Sequence, residues 1–131
     1  MVAVDVEPAS APVLVRVDPE LMVQVLVNLM LNGIEAMSAG GRLVVWLTVH
    51  APDVWIGVRD SGPGVPEGVR AKIFRPFFTT KHQGTGLGLS ISRQIVERHG
   101  GHLTLEDTPG GGATFIVVLP LTEVEHGGPQ S

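Results

Sequence analysis

A chain of 131 residues, 44% hydrophobic and 17% charged, suits one folded core, which would bury roughly two-thirds of the unfolded surface. Its net charge of −4, with no dense basic cluster, argues against a nucleic-acid or membrane-surface binder, and the absence of cysteine excludes disulfides and thiolate metal sites. No stretch reaches the ~18 apolar residues that span a bilayer, and the first nine residues carry Asp5 and Glu7 without a basic residue, unlike a secretory leader.

Residues 1–11 are a Pro/Ala/Val lead, read either as an edge strand or as the cut end of something longer. Residues 13–17 (VLVRV) alternate and are β-branched, which predicts a strand. Asp18-Pro19-Glu20 supplies an N-cap, a proline at the first helical position and an acid at the positive end of the dipole. A helix is therefore expected over 19–37, ended by Ser38-Ala39-Gly40-Gly41. Residues 42–51 and 54–59 predict a strand hairpin across Pro52-Asp53. After Asp60-Ser61-Gly62-Pro63-Gly64 comes a short helix over 67–74, then residues 75–85 without a clear period.

A second helix is expected over 87–99, with Leu89, Ile91, Ile95 and Val96 on its apolar stripe and Gly100-Gly101 as its stop. His99 and His102 flank that helix end, where a cation would suit the dipole. Residues 102–106 and 113–119 read as a last hairpin, and 122–131 as a disordered tail behind a single domain over 1–121. Strands in hairpin pairs with helices between them predict an α/β two-layer sandwich: a mixed, mostly antiparallel sheet with helices on one face.

Four segments carry chemistry. The first helix is apolar nearly all round and should be well buried, yet Asn28 and Asn32 sit four residues apart on one face. A buried carboxamide without partners costs roughly 1–3 kcal/mol, so each either bonds the backbone or turns its oxygen to a polar ligand, and Mg²⁺ prefers hard oxygens shared with phosphate and water. Residues 60–64 (DSGPG) make a turn by composition, but a carboxylate at a strand end beside bare glycines also suits a flat base. It would accept from the exocyclic amine of adenine and repel the carbonyl that guanine carries there.

Residues 84–89 (GTGLGL) open a helix, where glycines let backbone amides approach phosphate. The spacing is neither GxGxxG nor a Walker loop. Residues 73–81 (IFRPFFTTK) read either as a satellite core or as a nucleotide lid anchored by phenylalanines, with Lys81 reaching phosphate.

In this order the four segments resemble the catalytic ATP-binding domain of bacterial sensor histidine kinases, in the family that includes gyrase, heat-shock chaperones and mismatch-repair ATPases. The resemblance covers about residues 13–121. It implies the Bergerat-type ATP-binding fold, with ATP and Mg²⁺ as cofactors. Asn32 would ligate Mg²⁺, Asn28 would support metal or phosphates, and Lys81 would complete the catalytic set. Asp60 would bind the adenine amine beside Gly62 and Gly64. Gly84, Gly86 and Gly88 would contact phosphates, and Thr114 would approach the base from the last hairpin. Val65, Ile73, Thr79, Thr80, Thr85, Leu87 and Leu89 complete the implied nucleotide-binding set. Many relatives carry a basic residue three places after the metal asparagine; this chain has Glu35, so Lys81 is expected to neutralise phosphate instead.

Relatives that hydrolyse ATP place a glutamate four residues before that asparagine, to activate water. Here the position is Asn28, which cannot serve as a general base. The resemblance thus implies phosphoryl transfer to a histidine on a separate dimerisation domain, within a cytoplasmic two-component kinase, with a response regulator as indirect partner. None of His50, His82, His99, His102 and His126 lies in an upstream helix suited to be the acceptor. The chain is therefore expected to be the catalytic part of a longer kinase, monomeric alone and without membrane contact. The alternatives are an anti-sigma-type protein serine kinase and a module that only senses ATP.

Overall fold

The computed structural model describes residues 2–7, 13–76, 88–108 and 110–122. Five strands form one sheet in the order β1-β2-β3-β5-β4, with β1 Val2–Glu7, β2 Gly41–His50, β3 Asp53–Asp60, β4 His102–Asp107 and β5 Ala113–Pro120. β1 runs parallel to β2; the other neighbours are antiparallel. The expected mixed, mostly antiparallel sheet is therefore present, and the lead segment is its edge strand. An Asp5–Arg42 ion pair ties that edge to β2.

Two helices, α1 Pro19–Ala36 and α3 Gly88–Arg98, pack on one face of the sheet, and a single turn, α2 Glu67–Arg70, follows β3. α1 begins where Asp18 Oδ1 accepts the backbone N–H groups of Glu20 at 3.0 Å and Leu21 at 3.2 Å, satisfying two of the donors a helix start leaves orphaned. Its buried side chains Met22, Val25 and Leu29 recur at helical spacing. From the sheet, Leu43, Val58, Phe115, Val117, Leu119 and Leu103 meet them in the core, with Ile95 and Val96 of α3. No described helix is long and apolar enough to cross a membrane.

Three expectations are corrected. Residues 13–17 are extended but join no strand ladder. Their alternation is real, with Val15 and Val17 packed against the core and Leu14 outward, because any extended segment lying on a core shows period two. Leu14 instead accepts the N–H of Thr122 at 2.9 Å, just past β5.

Second, α1 is not buried all round. Val23, Val27 and Leu31 are 59%, 44% and 49% exposed, since the sheet and α3 cover only two sides of the cylinder. Third, His99 is not a helix-end cation. Its Nδ1 donates to the Ile95 carbonyl at 2.7 Å, and its Nε2 accepts the N–H of Asp18 at 3.0 Å, a pairing that requires the neutral ring. His99 thereby links the end of α3 to the start of α1.

Candidate functional site

The alternation of β3 places Val54, Ile56, Val58 and Asp60 on the helix-facing side, opposite Val49, Leu47, Val45 and Leu43 of β2. Asp60 is therefore the last side chain of an otherwise apolar row, at the strand end. It is 4% exposed, and a carboxylate so buried needs donors. Its Oδ1 accepts the backbone N–H of Gly62 at 2.9 Å and of Ala113 at 3.3 Å.

The walls around this carboxylate are made of backbone. A Cβ on Gly33 of α1 would lie 3.3 Å from Asp60 Cβ and 2.7 Å from Leu43 Cδ1. One on Gly62 would lie 2.9 Å from the Ala36 carbonyl oxygen, and one on Gly64 2.9 Å from that of Gly112. Gly112, at φ +91°, has its missing Cβ directed into the Asp60 carbonyl. These glycines let α1, the 60–64 turn and the start of β5 converge on Asp60. Gly33 signals this in sequence, because glycine inside a helix costs ~1 kcal/mol relative to alanine and needs a reason.

The same helix carries the asparagines. Asn32 precedes Gly33 on α1 and is half-buried. One turn earlier, Asn28 is half-buried too, and its Nδ2 donates to Ser92 Oγ of α3 at 3.3 Å. Ser92 is fully buried, and the sequence did not single it out. Gly88, at the start of α3, has open space where a Cβ would stand.

The remaining expected residues divide. Val65 and Leu89 are half-buried against the core, and Ile73 belongs to it. Phe74 stands edge-on to Phe115 with ring centroids 6.1 Å apart, and Arg93 lies over the Phe74 ring at 5.0 Å. Thr114 pairs with Arg59 in the β3–β5 ladder, on the sheet face opposite Asp60, and its hydroxyl meets that of Thr108 at 2.6 Å. The residue of this hairpin that reaches the carboxylate is Ala113, one position earlier, through its backbone N–H. Thr79, Thr80, Lys81, Gly84, Thr85, Gly86 and Leu87 lie outside the described residues.

The described part of the site thus joins a buried carboxylate, glycine walls and a helix bearing two carboxamides. Among the described residues no group of three or more His, Cys, Asp or Glu side chains could hold a metal by itself. A cation here would have to share its coordination with a ligand, as Mg²⁺ does with phosphates.

Comparison with known proteins gives this geometry a lineage. Residues 17–123 match the family described as histidine kinase-, DNA gyrase B- and HSP90-like ATPase. The signal transduction histidine-protein kinase AtoS of Escherichia coli K12 is 41% identical over 109 residues, covering 82% of this chain and 18% of that protein. The catalytic domain of histidine kinase ThkA, in a nucleotide-free form, superposes with a TM-score of 0.82 at 41% identity, covering 91% of this chain and 78% of that one. ThkA in complex with the response regulator protein TrrA matches at a TM-score of 0.78 and 37% identity, over 92% of this chain and 34% of that one. The chain spans less than a quarter of the length of the sensor kinases it matches. It belongs to the histidine kinase-, DNA gyrase B- and HSP90-like ATPase family, whose ATP-binding domain makes up most of its length.

Proposed function

We propose that this chain holds ATP with Mg²⁺ and presents the γ-phosphoryl group to a histidine on a separate helical dimerisation domain, as the catalytic domain of a two-component sensor kinase. The observation that carries the reading is the buried Asp60 carboxylate, walled by Gly62, Gly112 and Gly33, the last on the helix that also carries Asn28 and Asn32. In this reading Asp60 accepts from the exocyclic amine of adenine. Its Oδ1 is already oriented by two backbone N–H groups, so little reorganisation accompanies binding.

The donor set suits Mg²⁺: carboxamide oxygens are hard ligands, and one or two of them suffice where phosphates and water supply the rest. Asn32 would hold the ion, with Asn28 supporting it, and the ion would supply charge neutralisation on the phosphates. Gly88 opens a helix whose N-terminal N–H groups suit phosphate oxygens, and Lys81 with Gly84 and Gly86 would complete that cradle.

A carboxamide at position 28 cannot take a proton from water, so attack falls to a partner's nucleophile, and catalysis is positioning. A response regulator follows as the downstream partner, by analogy with the ThkA–TrrA complex.

The test mixes this chain with a separately made helical hairpin bearing an acceptor histidine and with γ-labelled ATP. Acid-labile label on the hairpin, together with slow ATP turnover by the chain alone, is the expected result. Acid-stable label points to a serine kinase, and no label to an ATP-sensing module; either result rejects the proposal, as does fast hydrolysis by the chain alone.

A further inference from the structure

We infer that Ser92 is a positioning residue: it fixes which end of the Asn28 carboxamide faces the nucleotide. The inference rests on the reading above, in which α1 turns carboxamide oxygens toward Mg²⁺.

A carboxamide is nearly symmetric in shape and opposite in chemistry at its two ends. A half-turn of its terminal torsion replaces an oxygen that can support a cation with an N–H₂ group that repels it. For an exposed side chain that rotation is close to free, and half the population would face the wrong way. Asn28 is half-buried, and its nitrogen is engaged: Nδ2 donates to Ser92 Oγ at 3.3 Å. The two residues are 64 positions apart in sequence and lie on different helices.

Ser92 is 0% exposed, so no water competes for its lone pairs. A serine inside a helix has the carbonyl four residues earlier as a ready acceptor for its own proton. Here that residue is Gly88, on the same face of α3. In the structure Oγ accepts from Asn28 Nδ2. With the nitrogen held on the α3 side, the oxygen of Asn28 is turned the other way.

The register between the helices is fixed at a second point. His99, at the far end of α3, accepts the N–H of Asp18 at the start of α1. Ser92 and Asn28 therefore meet across an interface pinned independently of them. The role is one of orientation, exerted through Asn28; Ser92 itself touches no ligand.

Titration of the full chain with ATP, with and without Mg²⁺, tests this. Supporting groups behind metal ligands are worth about 10–100-fold in metal affinity, so Ser92→Ala is expected to lower the Mg²⁺-dependent gain in ATP affinity about tenfold while leaving Mg²⁺-free ATP affinity unchanged. Ser92→Cys, of nearly equal size but a weak acceptor, should fall between wild type and Ser92→Ala, and it carries the test if the alanine variant fails to fold. In an Asn28→Ala background, Ser92→Ala should add no further loss.

A Ser92→Ala protein with the wild-type Mg²⁺ response overturns the assignment, as does equal loss with and without the ion, or an undiminished effect in the Asn28→Ala background. A wild-type chain whose ATP affinity ignores Mg²⁺ overturns instead the metal reading on which the assignment rests.

Discussion

Replacing Gly112 by alanine tests how the wall around Asp60 is built, and Gly110→Ala supplies the control. Both glycines have positive φ, +91° and +86°, and both lie in the turn between β4 and β5. A side chain in the left-handed region costs roughly 1–2 kcal/mol at either position. At Gly110 nothing stands within 4 Å of a new Cβ, so that cost is the whole effect. At Gly112 the Cβ would overlap the Asp60 carbonyl oxygen and lie 3.0 Å from its carbon and 3.3 Å from Ser61 Cα.

These are backbone atoms and cannot swing aside. The start of β5 must separate from the end of β3, and the 3.3 Å bond from Ala113 N–H to Asp60 Oδ1 breaks. A hydrogen bond to a charged group contributes about 1.5–3 kcal/mol. Gly112→Ala should therefore lose about 3–5 kcal/mol and Gly110→Ala about 1–2. Urea denaturation of both variants measures the difference. Equal losses would refute the claim that the close approach of Gly112 to Asp60 holds the wall in place.

Two further predictions concern the frame. Gly57 lies beneath the Trp46 ring, on which Arg59 stacks at 5.5 Å. Gly57→Ala should displace the indole, change the near-ultraviolet circular dichroism and cost about 1–3 kcal/mol by overpacking; an unchanged tryptophan signal would contradict that packing. His99→Ala removes the acceptor for the Asp18 N–H and should cost about 1 kcal/mol, seen as a lower urea midpoint. Equal stability of His99→Ala and wild type would deny the link between α3 and α1.

Much of this site could be read from local signals. Asp60 is announced by a strand that stops at a turn-forming glycine pair, and Asn28 and Asn32 by polarity inside an apolar helix. The caps of α1 follow from Asp18 and Pro19 because capping depends on neighbours in sequence. What escaped depends on distant partners. Ser92 draws its meaning from Asn28, 64 residues away, and no spacing rule joins them. Thr114 falls on the face opposite Asp60 by strand register, where an error of one residue reverses the face. Residues 13–17 alternate like a strand because they lie on the core, but a ladder also needs a partner edge, and β1 and β4 border the sheet instead. The neutrality of His99 likewise required knowing that the start of α1 lies against it.

The most direct test of the central claim is the affinity of the chain for ATP and for GTP, measured by calorimetry in Mg²⁺ for wild type and for Asp60→Asn. Wild type should bind ATP and discriminate against GTP, whose base presents a carbonyl where adenine has its amine. Asparagine keeps an oxygen for Gly62 and Ala113 but removes the charge, so Asp60→Asn should weaken ATP about 10–100-fold, the equivalent of one hydrogen bond to a charged acceptor, while the protein still unfolds cooperatively. Equal affinity for the two nucleotides, or ATP binding indifferent to Asp60→Asn, would contradict the assignment of this carboxylate to adenine.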